Sequence, residues 1–348
     1  MNMEQIKSLI KPNILKLVPY SSARSEFKEK SEIFLDANEN PYQNEFNRYP
    51  DPLQPKLKEK IADWRGVSSD HLVLGNGSDE IIDLIIRVFC KPGKDSIVTF
   101  NPSYGMYKVC ADINDVKVRT FNLDEDFKFK KKDLYRFFKK SDKVLFICNP
   151  NNPTGNSIKL DDILSISKKF GGIIVVDEAY IDFSEKPSAI NLLSEIPQLI
   201  VLQTLSKAIG LAGLRIGLGW MQPELASLFN HVKPPYNISS LSQTLAIKRL
   251  SDLLIITSEV NNIIEQRSFL KKHLMDYGYV HRVYPSDANF LLVKCRNADR
   301  LYQYFIQNGI VVRNRSSQYG CEQCLRITVG TPEENQKLID LLPDFDFS

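Results

Sequence analysis

Between about residues 70 and 220, short runs of Val, Ile and Leu alternate with longer amphipathic segments, and this alternation most restricts the possible fold. The runs are HLVL, SIVTF, VKVRT, KVLFIC, IIVV, LIVLQ and IGLGW. Strands that alternate with helical segments are typical of βαβ units, whose strands lie parallel. IIVV and VLFIC are apolar at every position, so helices should cover both faces of these strands. The sequence therefore predicts an α/β protein with a mostly parallel sheet.

The pattern changes after the two prolines at 234 and 235. Residues 239–277 carry apolar side chains at helical intervals and predict a long linking helix. The strand-like segments YVHRVY, NFLLVK, IVVR and LRITVG follow, separated by helical segments, and they predict a smaller α+β domain. The expected units are an N-terminal arm that joins the small domain (1–30), a large domain (31–235), and the linking helix with the small domain (236–348).

The charge balance of the chain restricts its partners. Its 348 residues include 45 Lys and Arg against 42 Asp and Glu, a net charge of +3. Such a small charge gives no strong field to attract nucleic acid or an anionic membrane. Every apolar stretch is shorter than the roughly 18 residues of a membrane helix, and the N-terminal segment lacks the apolar core of a signal peptide. We expect a cytoplasmic protein that acts on small molecules, without nucleic-acid or membrane partners.

The six cysteines and four histidines do not follow the spacing of a disulfide framework or a metal site. The cysteines are widely dispersed and indicate reduced thiols. Cys321 and Cys324 have CxxC spacing, but without a second CxxC or a nearby His coincidence explains this pair better than a zinc or redox site. HExxH and GxSxG are both absent from the sequence, which disfavours a zinc hydrolase or a serine triad. We expect no metal.

Two loops that follow predicted strands have the composition of ligand-binding loops. GNGSDEIIDLIIRVF (75–89) places Ser78 and Asp79 at the start of a helix, where free backbone N–H groups favour an anion. It fits neither GxGxxG nor GxxxxGK[ST], which disfavours a dinucleotide or ATP site. CNPNNPTG (148–155) places amides such as Asn152 at the carboxyl edge of the sheet, where open α/β sheets bind ligands. Taken alone, helix capping and turn chemistry would explain both loops.

Two further segments carry charged side chains at strand ends. IIVVDEAYIDF places Asp177 at the end of an apolar strand, with Tyr180 three residues later. A carboxylate there requires a partner, either in a structural ion pair or as an acid opposite a protonated ring nitrogen. TLSKAIGLAGLRIG places Lys207 beside Ser206 and eight residues before Arg215. A lysine of lowered pKa can bond covalently to a carbonyl compound, and Ser with Arg can hold a phosphate.

Together these four segments supply the groups that pyridoxal phosphate requires. The sequence also resembles the fold-type I pyridoxal-phosphate-dependent aminotransferases, and within them the histidinol-phosphate aminotransferases. The resemblance extends from PYSSAR at 19 to RITVG at 330, and SKAIGLAGLRIG is its most specific motif. Ile209 stands where many members have Phe. The resemblance implies the aspartate-aminotransferase-like architecture: a large domain with a mostly parallel seven-stranded sheet covered by helices, and a smaller α+β domain.

The same resemblance implies roles around the cofactor ring. Lys207 would bind the cofactor covalently and move the proton at the substrate α-carbon. Asp177 would keep the pyridine nitrogen protonated. Tyr180 and Asn152 would hydrogen-bond to the ring hydroxyl, and Tyr104 of NPSYGMY would stack on the ring face.

The resemblance also implies how the cofactor phosphate is held. The backbone N–H groups of Ser78 and Asp79 would bind it together with Ser206 and Arg215. Tyr49 of RYPDP resembles the tyrosine that reaches the phosphate from the partner subunit. The active unit implied is therefore a homodimer.

Four further residues resemble substrate-binding positions of this family. Arg326 of LRITVG matches the position that holds the substrate carboxylate, and Arg313 lies thirteen residues earlier. Two arginines suit a phosphate ester. Tyr20 and Asn38 match substrate-pocket positions, although packing of the N-terminal arm explains Asn38 nearly as well. The pattern gives no role to Arg315.

The implied activity is a transamination of L-histidine biosynthesis. L-Histidinol phosphate and 2-oxoglutarate would give imidazole-acetol phosphate and L-glutamate, reversibly. A threonine-phosphate decarboxylase or an aromatic amino-acid aminotransferase of the same fold remains an alternative. A pyridoxal-phosphate-binding regulator without catalysis is a different class. It would need a DNA-binding domain, for which the short arm leaves no room, and Lys207 with Asp177 argues against a catalytically silent protein.

Overall fold

The computed structural model describes residues 1–19 and 33–345, which include a seven-stranded sheet. Its strands are β1 (Leu72–Asn76), β2 (Ser96–Asn101), β3 (Lys117–Asn122), β4 (Asp142–Cys148), β5 (Ile173–Asp177), β6 (Leu199–Thr204) and β7 (Ile216–Trp220). The strand order is β1-β7-β6-β5-β4-β2-β3. Only β7 is antiparallel to its neighbours, β1 and β6. The prediction of a mostly parallel seven-stranded sheet is confirmed.

The central strands are buried on both faces. Every residue of β5 and β6 is buried, and successive residues belong to different apolar clusters. Leu145 and Ile174 contribute to one cluster, whereas Phe146 and Val175 contribute to the other. Successive side chains of a strand point to opposite faces, so a strand between two helical layers must be apolar throughout. The continuous apolar runs of the sequence have this cause.

Helices of the large domain cover the two faces of the sheet. They are α3 (Pro55–Arg65), α4 (Ser78–Phe89), α5 (Met106–Ile113), α6 (Lys131–Phe137), α7 (Leu160–Ser167) and α8 (Pro223–Val232). Seven of the twelve residues of α4 are buried, which places this helix deep in the domain. Across residues 1–19 and 33–345, every helix is too short or too polar to cross a membrane.

The N-terminal arm differs from expectation in its described part. It contains α1 (Met3–Lys7) and α2 (Pro12–Leu15). The arm was expected to join the small domain, but Ile6 and Ile10 are buried in the same apolar cluster as the core-facing residues of α4. The Lys11 N–H also donates to the Val88 carbonyl at 3.0 Å. These contacts attach α1 and α2 to the large domain, because that domain offers the apolar cover their isoleucines need.

The segment predicted as one linking helix forms two helices. They are α9 (Ser240–Arg249) and α10 (Leu253–Leu274), separated by a turn in which the Ser251 N–H donates to the Lys248 carbonyl at 3.2 Å. On one continuous helix Leu250 and Ile256 would lie about 120° apart around the axis. Both are buried in the same core cluster, and the turn makes this possible.

The small domain has a sheet and an apolar core of its own. Its strands are β8 (Val280–Val283), β9 (Phe290–Cys295), β10 (Arg313–Asn314) and β11 (Cys324–Thr328), and its helices are α11 (Ala298–Gln307) and α12 (Pro332–Leu341). The strand order is β10-β11-β9-β8, with every pair antiparallel. A capping box of Thr331 and Glu334 opens α12. The predicted α+β character of this region is thereby confirmed.

Candidate active site

A cleft lies where β4, β5 and β6 end and α4 begins. The residues that line it come from five separate segments of the chain: Ser78, Asp79, Tyr104, Cys148, Asn152, Asp177, Ala179, Tyr180, Thr204, Ser206, Lys207 and Arg215. Nine of these twelve are residues that the sequence analysis assigned to the cofactor. They meet because parallel strands bring their carboxyl ends to one edge of the sheet, where α/β proteins bind ligands.

One end of the cleft is built for an anion. Helix α4 starts at Ser78 and directs its free N–H groups there. The preceding Gly77 has φ +74°, and its N–H donates to the Arg215 carbonyl at 2.8 Å. A Cβ at Gly77 would lie 2.6 Å from a guanidinium nitrogen of Arg215, so only glycine leaves this guanidinium in place. The Ser206 hydroxyl, whose oxygen accepts from the Thr204 hydroxyl at 2.9 Å, lines the same end of the cleft and can donate to an anion there.

A second glycine holds β7 against the start of α4. A Cβ at Gly217 would lie 2.2 Å from the Ser78 nitrogen and 2.3 Å from the Gly77 carbonyl carbon. Because backbone atoms cannot move aside cheaply, we expect Gly217→Ala to lower the free energy of unfolding by about 2 to 3 kcal/mol. Urea denaturation measures this change. Gly171→Ala is the control, since its Cβ would meet no atom within 4 Å; equal losses in the two variants would contradict the close approach.

Asp177 lies at the base of the cleft with 2% of its surface exposed. Its carboxylate accepts hydrogen bonds from the Tyr107 hydroxyl at 2.7 Å and the Ala179 N–H at 3.2 Å. Burial raises the pKa of Asp177 to about 6, although both hydrogen bonds and Lys207 act in the opposite direction. A buried carboxylate with two neutral donors is stabilised when a cation comes to it. The site therefore fits a protonated ring nitrogen.

Lys207 lies at the open side of the cleft. Its Nζ is 5.7 Å from the centroid of the Tyr180 ring. Desolvation by the cleft walls lowers the pKa of Lys207, and the guanidiniums of Arg326 and Arg215 lower it further. A lowered pKa increases the fraction of neutral amine, the form that attacks a carbonyl group and accepts a proton. The buried Tyr180 hydroxyl and the Asn152 amide lie 3.4 Å apart beside it.

The small domain contributes Arg326 to the mouth of the cleft. This guanidinium donates to the Asn152 amide oxygen at 2.6 Å. It also lies 5.3 Å from the centroid of the Phe290 ring, and Tyr180 packs edge-on against that ring at 5.1 Å. Arg313 lies opposite Arg326 in the β10–β11 ladder. Both arginines therefore lie on the face of the small sheet from which Arg326 reaches the cleft.

Among the predicted residues that the structure describes, Asn38, Tyr49, Arg313 and Arg326 are not part of the cleft lining. Tyr20 lies outside the described residues. Asn38 and Tyr49 line a different cleft, together with residues 239–241. Tyr49 is 51% exposed and stacks on Tyr236 at 4.6 Å. Within one chain, then, neither Asn38 nor Tyr49 joins the other nine residues.

Sequence reasoning missed Tyr107, Cys148 and Thr204. Tyr107 is fully buried and stacks on Phe146 at 4.6 Å, so its hydroxyl meets Asp177 from beneath the cleft. In the sequence, the only feature that could have pointed to Tyr107 is its position in NPSYGMY, three residues after Tyr104. Cys148 ends β4 and precedes the asparagine loop, and burial raises its thiol pKa. In the described ranges, groups of three or more His, Cys, Asp or Glu placed to hold a metal ion are absent.

Comparison with known proteins gives the family. Residues 23–342 match the family model described as aminotransferase class I and II. The chain belongs to this family. Histidinol-phosphate aminotransferase from Parabacteroides distasonis is 50% identical to this aminotransferase, covering 98% of this chain and 99% of the relative. The enzyme of the same name from Christiangramia forsetii is 48% identical, with 98% coverage of each chain.

A solved structure supports the same placement. The crystal structure of the histidinol-phosphate aminotransferase from Clostridium acetobutylicum superposes on this aminotransferase with a TM-score of 0.79 at 27% identity, covering 86% of this chain and 90% of the other. The predicted fold and family are therefore both confirmed.

Proposed function

We propose that this aminotransferase is a pyridoxal-phosphate-dependent histidinol-phosphate transaminase of L-histidine biosynthesis. It would convert L-histidinol phosphate and 2-oxoglutarate to imidazole-acetol phosphate and L-glutamate, reversibly. The observation that carries the proposal is one cleft that combines an anion-binding helix start, a buried carboxylate and a lysine of lowered pKa. Relatives at 48–50% identity with that name support the choice of substrate.

The cleft offers a place for each part of the cofactor. The N–H groups of Ser78 and Asp79 would bind the phosphate with Ser206 and Arg215. Pyridoxal phosphate, when bound, supplies an electron sink for charge at the substrate α-carbon.

The ring would lie between the two ends of the cleft. The Tyr104 side chain, hydrogen-bonded to Asp79 at 3.1 Å, would cover one face of the ring. The Tyr180 hydroxyl and the Asn152 amide would hydrogen-bond to its oxygen.

Two side chains would handle protons. The Asp177 carboxylate would hold a proton at the ring nitrogen, and the Tyr107 hydroxyl would keep that carboxylate oriented. Once it is released from the cofactor, the Lys207 amine would remove the proton from the α-carbon of the amino donor. In the second half-reaction it would return a proton to the α-carbon of the amino acid that forms. Because its pKa is lowered, the amine is available as a base closer to neutral pH.

The small-domain arginines would hold the substrate anion. Arg326, placed at the cleft mouth by its bond to Asn152, would bind the carboxylate of glutamate and the phosphate of histidinol phosphate in turn. Arg313 lies beside it in the ladder and would assist. Tyr20 and Asn38 remain proposed substrate contacts.

Assembly and location complete the proposal. We propose a homodimer in which Tyr49 reaches the cofactor phosphate of the partner, since this side chain is half-exposed and lies away from its own cleft. We also propose that residues 31–235 and 236–348 form the large and small domains, each with its own apolar core. All six cysteines are free thiols, and this fits a cytoplasmic enzyme.

A single half-reaction tests the function. The cofactor-loaded protein is mixed with L-histidinol phosphate without 2-oxoglutarate, and the absorption of the bound cofactor is followed. Phenylalanine and threonine phosphate are run in parallel. We expect fast conversion to the pyridoxamine form with histidinol phosphate alone. Conversion only by phenylalanine, or carbon dioxide release from threonine phosphate, would replace this substrate assignment with one of the two alternatives.

A further inference from the structure

Three arginines project from one face of the small sheet. Strand β10 pairs with β11 so that Arg313 lies opposite Arg326. The Arg315 N–H continues the ladder by donating to the Cys324 carbonyl at 2.9 Å. Because alternate residues of a strand share a face, Arg313, Arg315 and Arg326 all point to the same side.

Within residues 1–19 and 33–345, none of these three guanidiniums forms an ion pair with a carboxylate. The groups that interact most strongly with Arg315 are Arg326, Arg313, the Cys321 thiol and the Tyr180 hydroxyl, and none of these is a carboxylate. Burial and the two neighbouring arginines lower the pKa of Arg315 to about 10. Like charges side by side on one sheet face are unfavourable unless an anion lies between them.

Unsatisfied donors mark where that anion would lie. In the part of the chain that the structure describes, the Nε atoms of Arg315 and Arg326 are both buried without a hydrogen-bond partner. Buried polar groups of a native protein are otherwise paired. Arg326 already reaches into the cleft to donate to Asn152, and Arg315 interacts electrostatically with Tyr180 on the cleft wall. The unpaired donors therefore adjoin the proposed substrate site.

We propose that Arg315 is a specificity-determining residue that binds the phosphate ester of the substrate together with Arg313 and Arg326. This inference rests on the proposed function of the same cleft. A phosphate monoester carries close to two negative charges and three acceptor oxygens, whereas the glutamate side chain carries one charge and two oxygens. A third guanidinium thus stabilises the phosphorylated substrate more than glutamate, because the single carboxylate of glutamate is already bound by Arg326.

Arg315→Gln in the cofactor-loaded enzyme tests the proposal. We expect kcat/KM for L-histidinol phosphate to fall about 30-fold, mainly through KM, while the value for L-glutamate changes less than about 3-fold. Arg326→Gln should impair both substrates. Lys337→Gln removes one exposed charge from the same domain, and it should change neither value.

A binding measurement separates this role from turnover. Calorimetric titration of the cofactor-loaded protein with inorganic phosphate reports on binding at the three arginines, because the cofactor phosphate already occupies the anion site at the start of α4. Arg315→Gln should weaken phosphate binding about tenfold, and Arg315→Lys, which keeps the charge without the bidentate fork, should weaken it less. If the glutamine variant misfolds, phosphate binding by Arg315→Lys is compared with that of the unmodified enzyme instead.

The outcomes distinguish this inference from the function on which it rests. Equal losses for both substrates, or unchanged phosphate binding, would show that Arg315 is structural and would overturn the proposal. If the unmodified enzyme rejects histidinol phosphate but binds inorganic phosphate through Arg315, the substrate assignment fails while the anion site stands. If phosphate binds equally to the Arg315 and Lys337 variants, the anion site fails whatever the substrate.

Discussion

Lys207→Ala is expected to lower turnover with histidinol phosphate and 2-oxoglutarate by about five orders of magnitude. Under the proposed function the substitution would remove both the covalent attachment of the cofactor and the base at the substrate α-carbon, and the described cleft lining contains no second lysine. Steady-state rates measure the loss. Release of the cofactor on dialysis gives a second measurement that does not depend on turnover.

Lys168→Ala is the matched control for this experiment. Lys168 is an exposed lysine of the same domain, outside the cleft, so its loss removes one ammonium group and leaves the site intact. We expect its turnover to stay within a factor of two of the unmodified enzyme. Normal multiple turnover by Lys207→Ala would remove the central assignment of the site.

Asp177→Asn is expected to lower turnover by about three orders of magnitude without a loss of folded stability. An asparagine side chain can still accept the Tyr107 hydrogen bond, but it carries no charge to hold a proton at the ring nitrogen. Glu178→Gln is the control, because Glu178 is equally buried one residue further on and is bonded to Ser188, Ala189 and Gln203 instead of lining the cleft. A similar loss in both variants would point to a structural cause.

The same Asp177→Asn variant should stabilise the cofactor-free protein. The folded-state pKa of Asp177 is raised from 3.8 to about 6, so the native state binds this proton more tightly than the unfolded chain does. The free-energy cost of burying the ionised carboxylate is absent well below pH 3.8. It grows as the pH rises, and it reaches its full value above about pH 6. The gain in unfolding free energy should therefore be about 1 kcal/mol larger at pH 8 than at pH 5.

Denaturant titrations of the two cofactor-free proteins at these two pH values check the expectation. A gain that is the same at both pH values would mean that the raised pKa is not the cause. A smaller gain at pH 8 would reverse the sign of the argument. Cofactor binding should abolish the advantage of the variant, since under the proposed function the protonated ring nitrogen would supply the cation that the Asp177 carboxylate lacks.

Local sequence patterns were enough to predict the large sheet and most of the cleft. Strands such as β5 could be identified because a strand covered on both faces must be apolar throughout. Asp177 is the last residue of β5 and Lys207 lies three residues after the end of β6, and parallel strands bring their ends to one edge. Local sequence order was therefore enough to place these residues in one site.

Contacts between distant segments were decided by the tertiary structure. Tyr107 donates to Asp177 although the two residues lie seventy positions apart in the sequence. The residues around Tyr107 form no pattern from which this hydrogen-bond partner could be predicted. The arm helices could have covered either domain, and only packing assigned Ile6 to the large one. The place of Arg315 depends on the register of a ladder whose first strand has two residues. Strand register and helix packing depend on residues throughout the chain, so they cannot be predicted from a short segment of sequence.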